Sequence, residues 1–258
     1  MWYDFCVIKK GSGTLKLYCG DCVREMRKIP CESVHLILTD PPYNIGAFME
    51  SRNVGIHRLK GRQNFVQDKW DNGNERDFET LMSDFLNEAQ RVLVPLGALV
   101  LFTSFQQVSM IQREAEKRGL YYKTTGVWHR SNPMPRNMNL QFINSCDPWM
   151  YFLKTSKSGK KTGTFNNRGM AFHDCISCGV APKTEKEISM HPTQKPEMLM
   201  RTFVDLLSNE GETVLDPFMG GGTTGVACTH SKREFIGIEM NQEYFDRAKR
   251  RLETESGT

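Results

Sequence analysis

Val214-Leu-Asp-Pro-Phe-Met-Gly-Gly-Gly-Thr-Thr-Gly-Val-Ala227 (VLDPFMGGGTTGVA) is the stretch on which the fold turns. Thr213 to Asp216 has the length and composition of a buried strand, and it ends in an acid. Glycines follow, then residues that can open a helix. A strand–turn–helix of this kind brings backbone close to a ligand and aims the free amides of the helix start at it. Glu239 ends the next apolar run, FIGIE, roughly twenty residues beyond the first glycine, the spacing at which an acid can accept ribose hydroxyls in nucleotide-binding βαβ units.

Working outward, strand and helix patterns alternate. Strand-like runs occur at 15–19, 34–38, 98–102, 121–129, 149–153, 213–216 and 235–239. Helical spacing occurs over 78–92, 106–118 and 196–207, and again towards 252, with a short helix expected through Met26. Pro95-Leu-Gly97 reads as a turn into its strand. The alternation predicts a mostly parallel open α/β sheet with helices on both faces. The whole chain, 1–258, is expected to form one domain. Residues 44–76 are polar and aperiodic, with a basic run from Arg52 to Lys69, and a segment that long is usually functional. Residues 154–190, rich in Lys, Ser, Thr and Gly, read as an insertion.

Charge and composition set bounds. The chain has 258 residues, 25% of them charged, and a net charge of +4, which permits a polyanionic partner without demanding one. No apolar run reaches the roughly 18 residues of a membrane span, and MWYDFCVIKK lacks a signal-peptide layout, so a cytoplasmic protein is expected. The eight cysteines are then expected to be reduced thiols. Two C-x-x-C pairs, Cys19/Cys22 and Cys175/Cys178, the second beside His173, raise a four-thiolate zinc site. Their flanking residues are not those of a zinc knuckle, and no metal is expected.

A second stretch, Leu36-Ile-Leu-Thr-Asp-Pro-Pro-Tyr-Asn-Ile-Gly46, ends a core strand in an acid, two prolines and an aromatic residue. Tight-turn chemistry alone would explain it, but the same residues can hold Asp40 and Tyr43 rigidly at the mouth of a site. The glycine turn lacks the lysine of a triphosphate-binding loop. A nucleoside-bearing cofactor without a triphosphate fits it better. Asp216 favours a cationic or amine-bearing ligand, which points to S-adenosylmethionine.

Three motifs in order, Asp40-Pro-Pro-Tyr43, His191-Pro-Thr-Gln-Lys-Pro196 and Asp216-Pro-Phe-Met-Gly-Gly-Gly-Thr-Thr224, carry a family likeness. The chain resembles the beta-class amino-methyltransferases of DNA, in which the catalytic half precedes the cofactor half. The resemblance covers nearly the whole chain. It implies a seven-stranded Rossmann-like fold that binds S-adenosylmethionine. It places Asp216, Phe218, Gly220, Gly221, Gly222 and Thr223 at the cofactor, with Glu239 on the ribose and Asp21, beside Cys22, at the adenine. Thr193, Gln194 and Lys195 fall near the methionine end, where Asp40 also borders the cofactor. Gly221 stands where the family commonly has Ser. Trp128-His-Arg-Ser-Asn-Pro-Met-Pro135 resembles the far wall of the target-base pocket, and 154–190 occupies the place of the target-recognition insertion. DNA is the implied partner, and the resemblance also admits a homodimer and a cognate restriction endonuclease.

The implied chemistry follows from the residues. An exocyclic amine on a nucleobase is a poor nucleophile because its lone pair is delocalised into the ring. The Asp40 carboxylate can accept one amine proton and the Pro41 carbonyl the other, with Pro42 fixing that carbonyl's direction. Tyr43 offers a face for a flipped base, and stacking worth roughly 1–3 kcal/mol offsets much of the cost of extrusion. In-line displacement needs no cysteine nucleophile, and Pro30-Cys31 reads as a half-buried thiol in a connection. His129 and His191 read as structural or cofactor-adjacent. The basic runs 52–69 and 154–161 are expected to contact phosphates. Asp at position 40 leans towards adenine N6. Cytosine N4 uses the same geometry, and a subunit that binds nucleic acid without catalysis is the reading of a different class.

Overall fold

The structure, a computed structural model, describes residues 5–10, 13–43, 75–133, 142–185 and 193–255. The loop expected over 44–76 falls almost wholly outside them, as do residues 134–141 and 186–192.

Fifteen elements follow in chain order: β1 (Phe5–Lys10), β2 (Gly13–Cys19), α1 (Cys22–Met26), β3 (Val34–Thr39), α2 (Glu75–Val92), β4 (Leu93–Phe102), α3 (Val108–Lys117), β5 (Leu120–Arg130), β6 (Cys146–Lys154), β7 (Cys175–Cys178), α4 (Glu197–Leu207), β8 (Thr213–Asp216), α5 (Thr223–His230), β9 (Glu234–Glu239) and α6 (Gln242–Thr254). The strands form one sheet in the order β1-β2-β9-β8-β3-β4-β6-β5-β7. Pairing is parallel throughout β2-β9-β8-β3-β4 and between β5 and β7, while β1 and β6 run against their neighbours. Without the edge strands β1 and β7, the seven strands that the resemblance implies remain, six of them in one direction.

β3 sits between β8 and β4, and every one of its residues but His35 is buried. A strand covered on both faces is apolar without alternation, which is why Val34 to Leu38 reads as a continuous run. One face packs against α4, α5 and α6 through Leu36, Leu38, Phe203, Val226 and Leu252. The other packs against α2 and α3 through Ile37, Leu99, Phe85 and Ile111. α2, α3, α4 and α6 each present one apolar stripe, as their spacing predicts, while α5 is buried on every side from Thr223 to Cys228.

The structure departs from expectation in several places, one of them Cys31, which is exposed rather than half-buried. Pro95-Leu96-Gly97 is not a turn before β4 but an irregularity inside it. Leu93 lies opposite Val34 and Ala98 opposite Leu36, so extra residues loop out, with Leu96 at φ 67°. Residues 154–190 contribute a strand, β7, whose register runs from Cys175 opposite Val127 to Cys178 opposite Arg130. Lys154 does not stand ready for phosphate: it is buried at the amino edge of the sheet, where Nζ donates to Glu32 Oε1 (3.0 Å) and to the Leu93 carbonyl (2.8 Å). Because β6 is antiparallel to β4, Lys154 lies five residues along the strand from Trp149, about 17 Å from the carboxyl edge.

The C-x-x-C pairs are also far apart. Cys19 ends β2 and Cys175/Cys178 frame β7, seven strand spacings away in the sheet, or roughly 30 Å. No single ion can take thiolates from both pairs.

Candidate active site at the carboxyl edge of the sheet

The parallel strands β3, β8 and β9 deliver Asp40, Asp216 and Glu239 to the same edge of the sheet. Ligands of open α/β folds bind at that edge. β3 stops where it does because Pro41 and Pro42 have no N–H to continue a ladder.

Asp40 is the hub of a compact cluster. The Tyr43 hydroxyl donates to Oδ1 at 2.5 Å. Lys195 Nζ donates to Oδ2 at 2.5 Å and to the Tyr43 hydroxyl at 3.1 Å. Lys195 is 7% exposed, and Asp40 retains 21% of its side-chain surface. The ammonium lies 5.0 Å from the centre of the Phe102 ring, 5.4 Å from that of Tyr43 and 5.9 Å from that of Trp128. Burial, reinforced by the Asp40 charge, pushes the Tyr43 hydroxyl well above its ordinary range, so it stays a proton donor. Lys195 is held by its chain neighbours. Pro196 caps α4, and Glu185 accepts the Glu197 amide at 3.1 Å and the Gln194 side-chain amide at 3.5 Å.

Asp216 organises the half of the site built on the glycine turn. It is 3% exposed, and its carboxylate accepts from Thr39 Oγ1 (2.7 Å), Thr224 Oγ1 (2.6 Å) and the Phe218 amide (3.2 Å). Burial still pushes its carboxyl up to about 6, against those hydrogen bonds. The Thr39 contact ties the residue before Asp40 directly to the glycine turn. That turn has Gly220 at φ 50° and Gly222 at φ 76°, and a Cβ on Gly222 would lie 3.2 Å from the Ala248 Cβ. Buried Arg251 donates to the Gly221 carbonyl (3.0 Å) and to Thr223 Oγ1 (3.1 Å), bracing the turn from α6.

Glu239 closes the arrangement. Its carboxylate accepts the Gly220 amide (2.9 Å) and the Asn241 amide (2.8 Å), and burial raises its pKa. Its carbonyl accepts the Gly20 amide at 2.9 Å, which brings Asp21 alongside. Asp21 caps α1 by accepting the Arg24 amide at 2.9 Å, and it lines a cleft of about 400 Å³ with Arg27, Thr80 and Asp84. Cys22 is buried with its thiol pushed up to about 12, which makes it inert. Phe218 packs edge-on against Phe85 at 5.7 Å, and Thr193 is exposed.

The structure thus brings Asp40, Tyr43 and Lys195 into contact, and links Asp216, Phe218, Gly220 and Glu239 through a second set of bonds. Lys195, placed near the cofactor by resemblance, touches Asp40 itself. Trp128 faces the Lys195 ammonium and donates from Nε1 to the Cys178 carbonyl at 3.3 Å. Arg130 behind it is committed to Asp147 (2.6 Å) and the Asn144 carbonyl (2.8 Å). His129 Nδ1 lies 3.0 Å from Ser177 Oγ, and His191 is outside the described residues. Sequence reasoning missed Thr39, Thr224, Phe102 and Arg251. A hydroxyl ending a fully buried strand was a signal for Thr39, since it must find a partner. Arg251 carries no local signal.

Among the described residues, the one group of three metal-ligating side chains is Glu197, His230 and Glu255. Glu197 lies 2.6 Å from His230 Nδ1 and Glu255 lies 3.6 Å from Nε2. The carboxylates address opposite nitrogens of one ring, so the group reads as a link between helix ends. No helix among the described residues is long and apolar enough to cross a membrane.

Comparison with known proteins places these features in context. A family model for DNA methylases, of the N6/N4 type, matches residues 34–250. The type II methyltransferase M.HinfI of Haemophilus influenzae is 30% identical over 246 residues, covering 90% of this chain and 67% of the relative. The type II methyltransferase M2.DpnII of Streptococcus pneumoniae is 30% identical over 247 residues, covering 93% and 90%. The solved M1.HpyAVI–SAM complex matches with a TM-score of 0.69 at 28% identity, over 92% of this chain and 98% of that one. PvuII DNA methyltransferase, cytosine-N4-specific, shares the fold with a TM-score of 0.72 at 18% identity, over 94% and 87%.

Proposed function

The chain belongs to the DNA methylase family, whose cofactor is S-adenosylmethionine, and we propose that it methylates the exocyclic N6 amine of a flipped adenine at a specific DNA site. The observation that carries this reading is the contact of Asp40 with Tyr43 and Lys195 at the carboxyl edge, joined to the glycine turn by the Thr39–Asp216 bond.

The residues fit the cofactor. The sulfonium of S-adenosylmethionine supplies an electrophilic methyl group. Asp216 is a carboxylate whose pKa is raised by burial, and a cationic ligand nearby would favour its charged form. Glu239 accepts amides from Gly220, Asn241 and Met240, and its two oxygens, with about four acceptor sites between them, keep capacity for a ribose hydroxyl. The positive φ at Gly220 and Gly222 gives the turn the shape that admits a ligand against backbone. Asp21 and Phe218 are assigned to the adenine, with Gly221 and Thr223 shaping the turn. Thr193, Gln194 and Cys22 complete the surroundings.

On the substrate side, Asp40 accepts one amine proton and the Pro41 carbonyl the second, which draws the nitrogen towards tetrahedral geometry and frees its lone pair. Pro42 holds that carbonyl rigid. Tyr43 supplies aromatic surface for the extruded base, with the buried Phe102 and Trp128 rings behind the Lys195 ammonium. Asp40 holds the proton lost from the methylated amine and passes it to water. An acid rather than a serine at position 40 supports adenine over cytosine. DNA contact is assigned to 44–76 and to the part of 154–190 next to β7, whose Cys178 end flanks Arg130. The type II relatives support a modification role beside a restriction endonuclease in the bacterial cytoplasm.

Single-molecule sequencing of DNA from cells expressing the protein tests this reading. N6-methyladenine at one short motif is the expected result. N4-methylcytosine would transfer the same mechanism to the other base, and unmodified DNA would contradict the reading.

A further inference from the structure

We propose that Lys195 is a specificity-determining residue that donates to the ring nitrogen beside the target amine while Asp40 accepts from the amine itself. The inference rests on the amine-methylation reading above and adds a second point of base recognition to it.

Lys195 Nζ and Asp40 Oδ2 lie 2.5 Å apart, a donor next to an acceptor. Adenine N6 and N1 share one ring carbon, as do cytosine N4 and N3. With each C–N bond about 1.33 Å long, the two nitrogens are about 2.3 Å apart. A carboxylate and an ammonium at the observed spacing therefore complement an amine N–H beside an unprotonated ring nitrogen. Thymine shows the inverse pattern, a carbonyl oxygen beside a ring N–H, which sets acceptor against acceptor and donor against donor.

The donor count agrees. An ammonium has three N–H groups. Among the described residues Asp40 Oδ2 and the Tyr43 hydroxyl take two. No other acceptor among the described residues takes the third, in a site where Lys195 is 7% exposed and a buried donor is costly to leave unmade. The Phe102, Tyr43 and Trp128 rings, 5.0–5.9 Å from Nζ, surround the ammonium with apolar groups, and of the three Tyr43 is the one partly exposed, able to meet a flat base. Pro196 and the Glu185 hydrogen bonds fix the backbone that carries Lys195, so the donor is preorganised.

The test uses the full-length protein and duplexes containing its sequenced target motif. One duplex carries the normal target base. The other carries its 1-deaza analogue (3-deaza for cytosine), in which a C–H replaces the ring nitrogen and the amine is kept. Labelled-methyl transfer gives kcat/KM for the native protein and for Lys195→Met on both. The native protein is expected to lose roughly 10- to 100-fold on the deaza duplex, the range for a hydrogen bond to a charged group. Lys195→Met is expected to lose a similar factor on the normal duplex and less than about threefold more on the deaza duplex, because the bond is already gone. The cycle cancels the altered reactivity of the deaza amine. If Lys195→Met retains the full deaza penalty, or loses only cofactor affinity by calorimetry, the proposal is overturned. A native deaza penalty below about threefold overturns it without any variant. Absence of transfer from the native protein to the normal duplex would instead remove the amine-methylation reading.

Discussion

Replacing Asp216 with Asn should make the ligand-free protein more stable at neutral pH. Asp216 is 3% exposed, and burial raises its carboxyl from 3.8 to about 6 despite hydrogen bonds from Thr39, Thr224 and Phe218. That rise, at about 1.4 kcal/mol per pKa unit, corresponds to about 3 kcal/mol. The sign follows from proton binding. Between pH 4 and 6 the folded state holds the Asp216 proton more tightly than the unfolded chain, so this group's contribution to stability falls as pH rises through that window. Above pH 6 the penalty is complete. An amide stays neutral and escapes it, while the Thr224 hydroxyl can rotate from donor to acceptor. Urea unfolding of both proteins between pH 4.5 and 8 measures the difference. The variant's advantage should be small at the acidic end and approach about 3 kcal/mol at pH 8. The reasoning fails if the variant is the less stable protein at pH 8, or if the difference is flat with pH. Calorimetry should show the opposite cost in function: weaker S-adenosylmethionine binding by the more stable variant.

Two further outcomes follow from the same geometry. Gly222→Ala should lower stability by about 1–2 kcal/mol in thermal unfolding, since the residue sits at φ 76° with Ala248 3.2 Å from the added methyl. Lys154→Met should leave DNA affinity, within about twofold, and its salt dependence unchanged in a fluorescence-anisotropy titration between about 50 and 200 mM salt. A clear fall in the salt slope would show that Lys154 reaches phosphate despite its bonds to Glu32 and Leu93.

Much of the frame was legible because its signals are local. The apolar run of β3, the strand–turn–helix at 213–230 and the acid ending β9 each lie within a few consecutive residues. β1 escaped notice because only Ile8 of its six residues is buried, so it carries little hydrophobic pattern. Pro95-Leu96-Gly97 carries the chemistry of a turn but forms an irregularity inside a strand whose pairing resumes beyond it. β7 is four residues long and only Cys178 is buried, which leaves it indistinct in a polar segment.

The site divides in the same way. Asp40, Tyr43, Asp216 and Glu239 are marked by their neighbours in sequence. Their relations are not, because Thr39 meets Asp216 across 177 positions and Lys195 meets Asp40 across 155. Such contacts arise from strand adjacency and from the way α4 packs over β3. The contact of Lys195 with Asp40 emerges only from that packing.

The central claim is that Asp40 accepts a proton of the target amine, and labelled-methyl transfer to DNA by native protein and Asp40→Ala tests it most directly. With S-adenosylmethionine binding verified for both, the native protein should transfer methyl groups and the variant should be slower by roughly 10²-fold or more, the scale of a positioned proton acceptor. A variant within about threefold of the native rate would contradict the account.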